Sequence, residues 1–168
     1  MKVILSENQY RRLIEAEEKP KILSLPYLEF FDKDHEVAWN IIQKIVERKG
    51  NPPYSIVGDL NLEHSLIESL GNLTSVGGYL NLSDTPIESL GNLQSVGGNL
   101  DLAYTSIESL GNLQYVGGYL DLIDTPIESL GNLQSVGGNL YLNDTTISEN
   151  YSEEEIRQMV NVGGKIYM

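Results

Sequence analysis

Cysteine is missing from this chain of 168 residues. Its absence excludes disulfide bridges, thiolate metal sites and the class of small secreted disulfide scaffolds. No apolar run approaches the roughly 20 residues needed to span a bilayer. The apolar stretch in residues 1–5 is also too short for a signal peptide. We therefore expect one domain with a modest core, located in the cytoplasm and without membrane contact.

Basic residues are missing from residues 50–155. Residues 1–49 carry nine basic and nine acidic side chains, so the net charge of −13 arises entirely in the rest of the chain. Like charge would repel phosphate groups, and we expect no direct binding of this part to nucleic acid or to an anionic membrane. The acidity has two interpretations. It keeps the chain soluble, or it serves binding, through a basic partner, a bound cation or mimicry of a polyanion.

Groups that could form a catalytic centre are sparse. The two histidines, His35 and His64, are far apart in sequence. His64 could approach Asp84 across neighbouring strands, but no nucleophile with a third, orienting group is apparent. The Val-Gly-Gly segments are not followed by Lys-Ser/Thr, so no phosphate-binding loop is present. We predict that the protein is not an enzyme and needs no cofactor or metal.

A 20-residue unit is the dominant pattern in the chain. Ile-Glu-Ser-Leu-Gly-Asn-Leu begins at Ile67, Ile87, Ile107 and Ile127, and each copy continues through Val-Gly-Gly into x-Leu-x-Leu. A fixed period of this length predicts a solenoid, because each unit can bury its apolar side only against its neighbours. Strand alternation turns six apolar residues of each unit inward, in one copy Leu80, Leu82, Ile87, Leu90, Leu93 and Val96.

Helical patterns flank the repeats. Ser6 can cap a helix over residues 7–18, and an apolar stripe predicts a second helix over residues 34–48. In the last unit Ser152 and Glu155 have the spacing of a capping box. We divide the chain into a helical N-terminal capping segment (residues 1–50, with residues 1–18 as a leader), a solenoid (51–146) and a C-terminal capping repeat (147–168) with a helix and a final strand.

The spacing Leu80-x-Leu82-x-x-Thr85-x-Ile87 resembles the leucine-rich repeat. The resemblance covers roughly residues 55–168. It implies an α/β repeat solenoid with one parallel sheet of about six short strands, a helical N-terminal cap and one helix in the last turn. Two features depart from the family pattern. Glycine replaces its first leucine (Gly77, Gly97, Gly117, Gly137), and a hydroxyl residue replaces its ladder asparagine (Ser65, Thr85, Thr105, Thr125, Thr145). Such a hydroxyl can still bond a neighbouring backbone group.

The 20-residue Val-Gly-Gly variety resembles repeat proteins of marine bacteria and their tailed phages. The opening of the chain, Met-Lys-Val-Ile-Leu-Ser-Glu-Asn-Gln, resembles leaders on phage proteins. These resemblances imply a phage origin and, with it, a location in the cytoplasm of a host. They do not imply a particular function.

The residues that flank the strand leucines form four outward columns. Thirteen of the 20 positions are identical in all four full copies, and the outward positions are among the seven that vary. Tyrosine among small polar groups is the composition of a binding surface. Tyr79, Tyr119, Tyr141 and Ile123 are the anchor candidates. The predicted partner-binding residues are Tyr79, Asn81, Asp84, Asn99, Asp101, Tyr104, Tyr119, Asp121, Ile123, Asp124, Asn139, Tyr141, Asn143 and Asp144.

These patterns favour a non-enzymatic module for protein–protein interaction, which would bind a basic protein surface through its acidic strand face. One alternative is a phage-encoded inhibitor that occupies the nucleic-acid site of a host defence protein by polyanion mimicry. Another is a structural or capsid-associated phage protein. The exposed final strand at residues 165–168 allows a monomer or a weak homodimer paired at its edge.

Overall fold

The computed structural model describes residues 22–25 and 35–168. The repeats wind into a solenoid, as the 20-residue period predicts. Each turn contributes one short strand to each of two parallel sheets, which we call sheet 1 and sheet 2. In both sheets consecutive turns pair in register, so equivalent residues of neighbouring copies lie side by side.

Sheet 1 contains seven strands in the described part of the chain. Its strands carry one outward residue before a buried valine in most turns, as at Ser95 and Val96. The strands are β1 (Leu23–Leu25), β2 (Tyr54–Ile56), β4 (Leu73–Val76), β6 (Ser95–Val96), β8 (Tyr115–Val116), β10 (Ser135–Val136) and β12 (Asn161–Val162).

Sheet 2 contains six strands in the same part of the chain and carries the x-Leu-x-Leu segments. In β3 to β11 the leucine of each strand is buried and the residue after it is half-buried. In β13 a buried Ile166 replaces the leucine, and Tyr167 after it is exposed. The strands are β3 (Leu60–Asn61), β5 (Leu80–Asn81), β7 (Leu100–Asp101), β9 (Leu120–Asp121), β11 (Leu140–Tyr141) and β13 (Ile166–Tyr167).

One hydrophobic core runs between the two sheets along the solenoid. All six apolar residues predicted to face inward in each turn are buried; in one copy these are Leu80, Leu82, Ile87, Leu90, Leu93 and Val96. Each fully buried side chain of this size contributes about 1.5–3 kcal/mol through the hydrophobic effect. The stacked turns thus share a continuous apolar interior.

The Val-Gly-Gly corner joins sheet 1 to sheet 2, and its glycines are required by close stacking. A Cβ on Gly97 would lie 2.1 Å from the carbonyl oxygen of Gly77, and one on Gly117 would lie 2.0 Å from that of Gly97. These separations are far below van der Waals contact. In the first turn the equivalent residue is Val57, whose side chain is exposed. Glycine therefore stands here because the corners of adjacent turns nearly touch.

The hydroxyl residues at the ladder position bond within their own turn, and asparagines at another position bond between turns. The buried Thr85 hydroxyl donates to the carbonyl oxygen of Leu82 in its own turn, at 2.6 Å, rather than to a neighbouring copy. Asparagines at another position link the turns. Asn112 donates to the carbonyl oxygen of Gly91 at 3.1 Å, and Asn132 to that of Gly111 at 3.0 Å.

Helix α1 (His35–Arg48) lies against the first turns, in the segment where a helix was predicted. The apolar stripe predicted for it is wrong in part, because its members Val37 and Ile41 are exposed. Its Trp39, Ile42 and Val46 belong to the hydrophobic core. Gln43 donates to the hydroxyl of Tyr54 at 3.0 Å, and that hydroxyl donates to the carbonyl oxygen of Leu70 at 3.0 Å. Burial raises the pKa of Tyr54 to about 12, and the bond from Gln43 lowers it by a smaller amount.

The last unit contains two short helices, α2 (Thr146–Asn150) and α3 (Glu153–Met159), where one was predicted. Both begin with a capping box, the predicted one at Ser152 and Glu155 and a second at Thr145 and Ser148. Arg157 in α3 donates to the carbonyl oxygens of Val162 and Gly164, at 3.1 Å and 3.0 Å. It thereby ties the final helix to the end of sheet 1 and to the last corner.

Three expectations need correction or lie outside the described residues. The single sheet of about six strands is incomplete, because the segment before each Val-Gly-Gly forms a second parallel sheet. The α/β class overstates the helices, which occupy residues 35–48 and 146–159 among those described. The helix over residues 7–18 and the leader over residues 1–18 lie outside the described residues. Among the described helices, none has the length and apolarity to cross a bilayer.

Candidate partner-binding face

The outward side chains of sheet 2, of the residue before each of its strands and of the turn after it form one surface, which we call the variable face. Strand alternation produces it, because the two leucines of each x-Leu-x-Leu segment point into the core. All fourteen residues predicted to bind a partner lie on this face. Side chains in the same column of adjacent turns are about 4.8 Å apart.

The first column of the variable face alternates between tyrosine and a residue with a side-chain acceptor. Asp59 Oδ1 accepts from the backbone N–H of Tyr79 at 2.8 Å, and Asn99 Oδ1 accepts from that of Tyr119 at 3.1 Å. Asn139 Oδ1 accepts in the same way from the N–H of Lys165, at 3.0 Å. Asn99 and Asn139 thus bind the next turn, while Tyr79 and Tyr119 provide the aromatic groups.

A recess of about 300 Å³ lies on the variable face between two of these tyrosines. Tyr79 and Tyr119 line opposite sides, because they occupy the same column two turns apart. Asn81, Asn99 and Asp101 complete the polar lining. The amide oxygen of Asn99 is bonded to the next turn. The structure therefore brings five of the predicted residues together around one concavity.

The second column has a structural role that the sequence analysis missed. Asp101 Oδ1 accepts from the backbone N–H of Ala103 at 3.1 Å, and Asp121 Oδ1 accepts from that of Ile123 at 3.0 Å. Asn81 makes the same bond to Ser83. These bonds close a tight turn after β5, β7 and β9. Either an aspartate or an asparagine can supply the acceptor, and in β11 Tyr141 takes the same position without one.

The carboxyl groups of this column titrate abnormally. Burial raises the pKa of Asp101, the backbone bond from Ala103 lowers it, and the negative charges of Asp121, Glu63 and Asp84 raise it further. Burial likewise raises the pKa of Asp121 against the opposing bond from Ile123. The face therefore carries negative charge that is partly withdrawn from water, and a nearby cation would stabilise the ionised form.

The fourth column lies in the turn and adopts the left-handed backbone conformation. Asp84, Asp124 and Asp144 have φ values of 55°, 54° and 57°. Aspartate tolerates this region better than most residues, so its choice here has a structural reason. Tyr104 occupies the same conformation at φ 60° with 58% of its surface exposed. A bulky, solvent-exposed aromatic residue is an unfavourable choice at such a position.

Aromatic rings continue along the variable face to the C-terminal end. Tyr119 meets Tyr141 edge to face, with ring centroids 6.0 Å apart. Tyr141 stacks on Tyr167 at 4.8 Å, with the two rings nearly parallel. Tyr167 was not among the predicted residues, although it occupies the same strand position as Tyr141. The final strand was predicted over residues 165–168, but only as an edge that could pair with a second copy.

Side chains considered for catalysis have ordinary structural partners. His64 Nδ1 lies 3.6 Å from Asp84 Oδ2, so the predicted approach of these side chains occurs. His64 also has a left-handed backbone, with φ 57°, and belongs to the fourth column. The neighbouring Ser65 is buried and donates its hydroxyl to the carbonyl oxygen of Leu62. Among the described residues, no group of three or more His, Cys, Asp or Glu side chains could hold a metal ion.

A larger recess, of about 520 Å³, lies on the opposite side of the solenoid at sheet 1. Serine, threonine, asparagine and glutamine residues of successive turns line it, together with Ile22 and Pro53. None of the described side chains that line it carries a charge. Its size exceeds that of the recess on the variable face, but it offers no ionic or aromatic group to fix the orientation of a ligand.

Together, the fold and the face define a repeat solenoid with parallel strands on two sides and a surface that varies from copy to copy. Comparisons of the chain with protein-family models, with curated proteins and with solved structures found no match.

Proposed function

We propose that the protein is a non-enzymatic interaction module that binds a basic protein surface through its variable face. The observation that carries this proposal is the recess between Tyr79 and Tyr119, which combines aromatic walls with the carboxylate of Asp101. Tyrosine offers a large contact area at low cost in conformational entropy. Complementary charge speeds encounter and discriminates against acidic partners.

The charge distribution supports the same function. No lysine or arginine occurs between residues 50 and 155, so the five turns before the last supply no cation to the face; Lys165 holds the first-column position of the last turn. Solubility alone would be served by carboxylates in full contact with water. The carboxyl groups of Asp101 and Asp121 are instead half-buried beside tyrosines, where burial raises their pKa values. The proposal includes a location in the cytoplasm.

The test is affinity capture from a cell lysate with two matched baits. The first carries Tyr119→Ala and Asp121→Asn; asparagine keeps the turn-closing acceptor, as Asn81 shows in another copy. The second carries Tyr115→Ser, which removes an exposed tyrosine from sheet 1, where three other copies have serine. At low salt we expect the wild type and the Tyr115→Ser bait to capture a basic protein, and the double variant to lose it.

Salt and nucleic acid separate this proposal from its alternatives. Binding should weaken as ionic strength rises, because the contributing charges are screened. Displacement of the captured protein by excess DNA or RNA would favour an inhibitor that mimics a polyanion. Equal capture by all three baits would argue against the variable face as the binding surface.

A further inference from the structure

The recess between Tyr79 and Tyr119 extends across one intervening turn. The two tyrosines occupy one column two turns apart, so their Cα atoms are separated by about 10 Å. The residue between them is Asn99, whose side-chain oxygen bonds the backbone N–H of Tyr119. The recess is about 300 Å³ in volume. The next pair of turns differs, because Tyr141 lies against Tyr119 there and bonds Asn139.

The polar part of the recess is fixed in position. Asp101 Oδ1 is held by the backbone N–H of Ala103 at 3.1 Å, which orients the carboxylate before any ligand arrives. The negative charges of Asp121, Glu63 and Asp84 act on the same carboxylate and add to the effect of burial in raising its pKa. A cation placed at the recess would therefore meet a preoriented acceptor and relieve repulsion among the surrounding acidic groups.

The shape and charge of this recess distinguish between possible cations. A guanidinium group is planar, stacks on aromatic rings and matches a carboxylate with two parallel N–H donors. An ammonium group is a compact, strongly hydrated charge without that planarity. Tyrosine rings attract either cation through their negative faces, and arginine is found in such contacts more often.

We propose that this recess binds a single arginine side chain of the protein partner, between Tyr79 and Tyr119 and against the carboxylate of Asp101. This inference rests on the proposed function and adds the chemistry of recognition. Arginine, rather than basic charge in general, then determines which partners the face accepts. Tyr79 and Tyr119 act as stacking walls, and Asp101 acts as the ionic anchor.

Three short peptides test the inference directly. Each has nine residues of glycine and serine with one central residue: arginine, lysine or citrulline. Titration of the ¹⁵N-labelled full chain, followed by amide chemical shifts, should show that the arginine peptide perturbs residues 79–121. It should bind about threefold to tenfold more tightly than the lysine peptide. Citrulline retains the planar shape without the charge and should produce no saturable shift.

Matched variants locate the site. Asp101→Asn keeps the acceptor that closes the turn and should weaken the arginine peptide about tenfold. Tyr119→Ala should weaken it to a similar degree, whereas Tyr115→Ser should leave it unchanged. The amide spectra of the variants establish whether each is folded. Equal affinity for the arginine and lysine peptides, or an Asp101→Asn variant that binds arginine as well as the wild type, would overturn the inference.

The two proposals can fail separately. A basic protein captured through Tyr119 and Asp121 but indifferent to Asp101→Asn would overturn arginine recognition and leave the interaction module in place. Selective binding of the arginine peptide, with no protein lost from the double-variant bait in lysate, would support the recess and count against the wider proposal.

Discussion

The two sheets of the solenoid share the same turns but differ in how their outward residues vary. On sheet 1 the outward column holds serine in most turns, with Tyr115 as an exception. On sheet 2 the position after the second leucine differs in all four full copies: Ser83, Ala103, Ile123 and Asn143. Ser83 and Ala103 are buried, whereas Ile123 and Asn143 are half-buried, so the contact of this position with the core changes from turn to turn. Change between copies is therefore greater on sheet 2 than on sheet 1, and the proposed function attributes it to a binding surface.

The largest effect on stability is expected from a substitution at the Val-Gly-Gly corner, which joins the two sheets. Gly97→Ala places a Cβ 2.1 Å from the backbone oxygen of Gly77, and no side chain can move to relieve that contact. Since backbone shifts would separate the stacked turns, we expect a loss of about 3 kcal/mol in the free energy of unfolding. Urea denaturation followed by circular dichroism measures it.

The control for that substitution is Gly111→Ala. Nothing lies within 4 Å of a Cβ at Gly111, although its φ of +54° disfavours alanine. The expected loss is about 1 kcal/mol, from backbone strain alone. Similar losses for the two variants would show that corner stacking is not what requires glycine at Gly97.

Arg157→Ala tests how the last turn holds the end of sheet 1. Arg157 bonds the carbonyl oxygens of Val162 and Gly164, as well as Glu153. Its removal should destabilise the chain by about 2 kcal/mol, with hydrogen exchange accelerated first in β12 and β13. Glu153→Gln removes only an exposed ion pair, which is worth about 0–1 kcal/mol. An equal loss in both variants would assign the stabilisation to the ion pair instead.

Tyr104→Asn should increase stability while it alters the variable face. Asparagine tolerates the left-handed backbone that Tyr104 adopts at φ 60°, so the expected gain is about 1 kcal/mol. Thermal unfolding measures it, with Tyr115→Asn as a control because that tyrosine is not at positive φ. A loss of stability in Tyr104→Asn would mean that the ring contributes more to the fold than its exposure suggests.

Asp101→Asn should produce the smallest change, and one that depends on pH. Burial raises the pKa of Asp101 in the folded chain, the backbone bond from Ala103 opposes this with a smaller effect, and neighbouring negative charges add to the rise. The folded state therefore binds a proton more tightly than the unfolded state, and stability falls as pH rises from the unfolded pKa of about 3.9 through the raised value. Asparagine does not ionise. The variant should be more stable at neutral pH, by up to about 0.5 kcal/mol.

Measuring the stability gain of Asp101→Asn as a function of pH tests its cause. The gain should vanish below about pH 3.9, where Asp101 is protonated in both states. Adding Asp121→Asn should enlarge the gain at neutral pH, because burial also raises the pKa of Asp121. A gain that is constant across the pH range would show that it does not come from the ionisation of Asp101.

The period and the inward leucines were sufficient to predict a solenoid, because burial in a repeat depends on a regular apolar pattern. Sheet 1 could not be predicted in the same way. Most of its strands, such as Ser95–Val96, contain a single buried apolar residue, so they lack the repeated x-Leu-x-Leu alternation of sheet 2. The structural uses of Asp101 and Asp84 were equally hidden, since a turn-closing bond and a left-handed backbone leave no mark on composition.

Because residue types alternate in the first column of the variable face, neighbouring turns of the solenoid are of two kinds. Asp59, Asn99 and Asn139 each hold the backbone of the turn that follows, and the tyrosines stand between them. The repeating unit of this column is therefore two turns, or 40 residues, although the repeating unit of the fold is 20. Gain or loss of a single copy would set like residues side by side and interrupt the pattern. Lengths that differ by an even number of copies would preserve it.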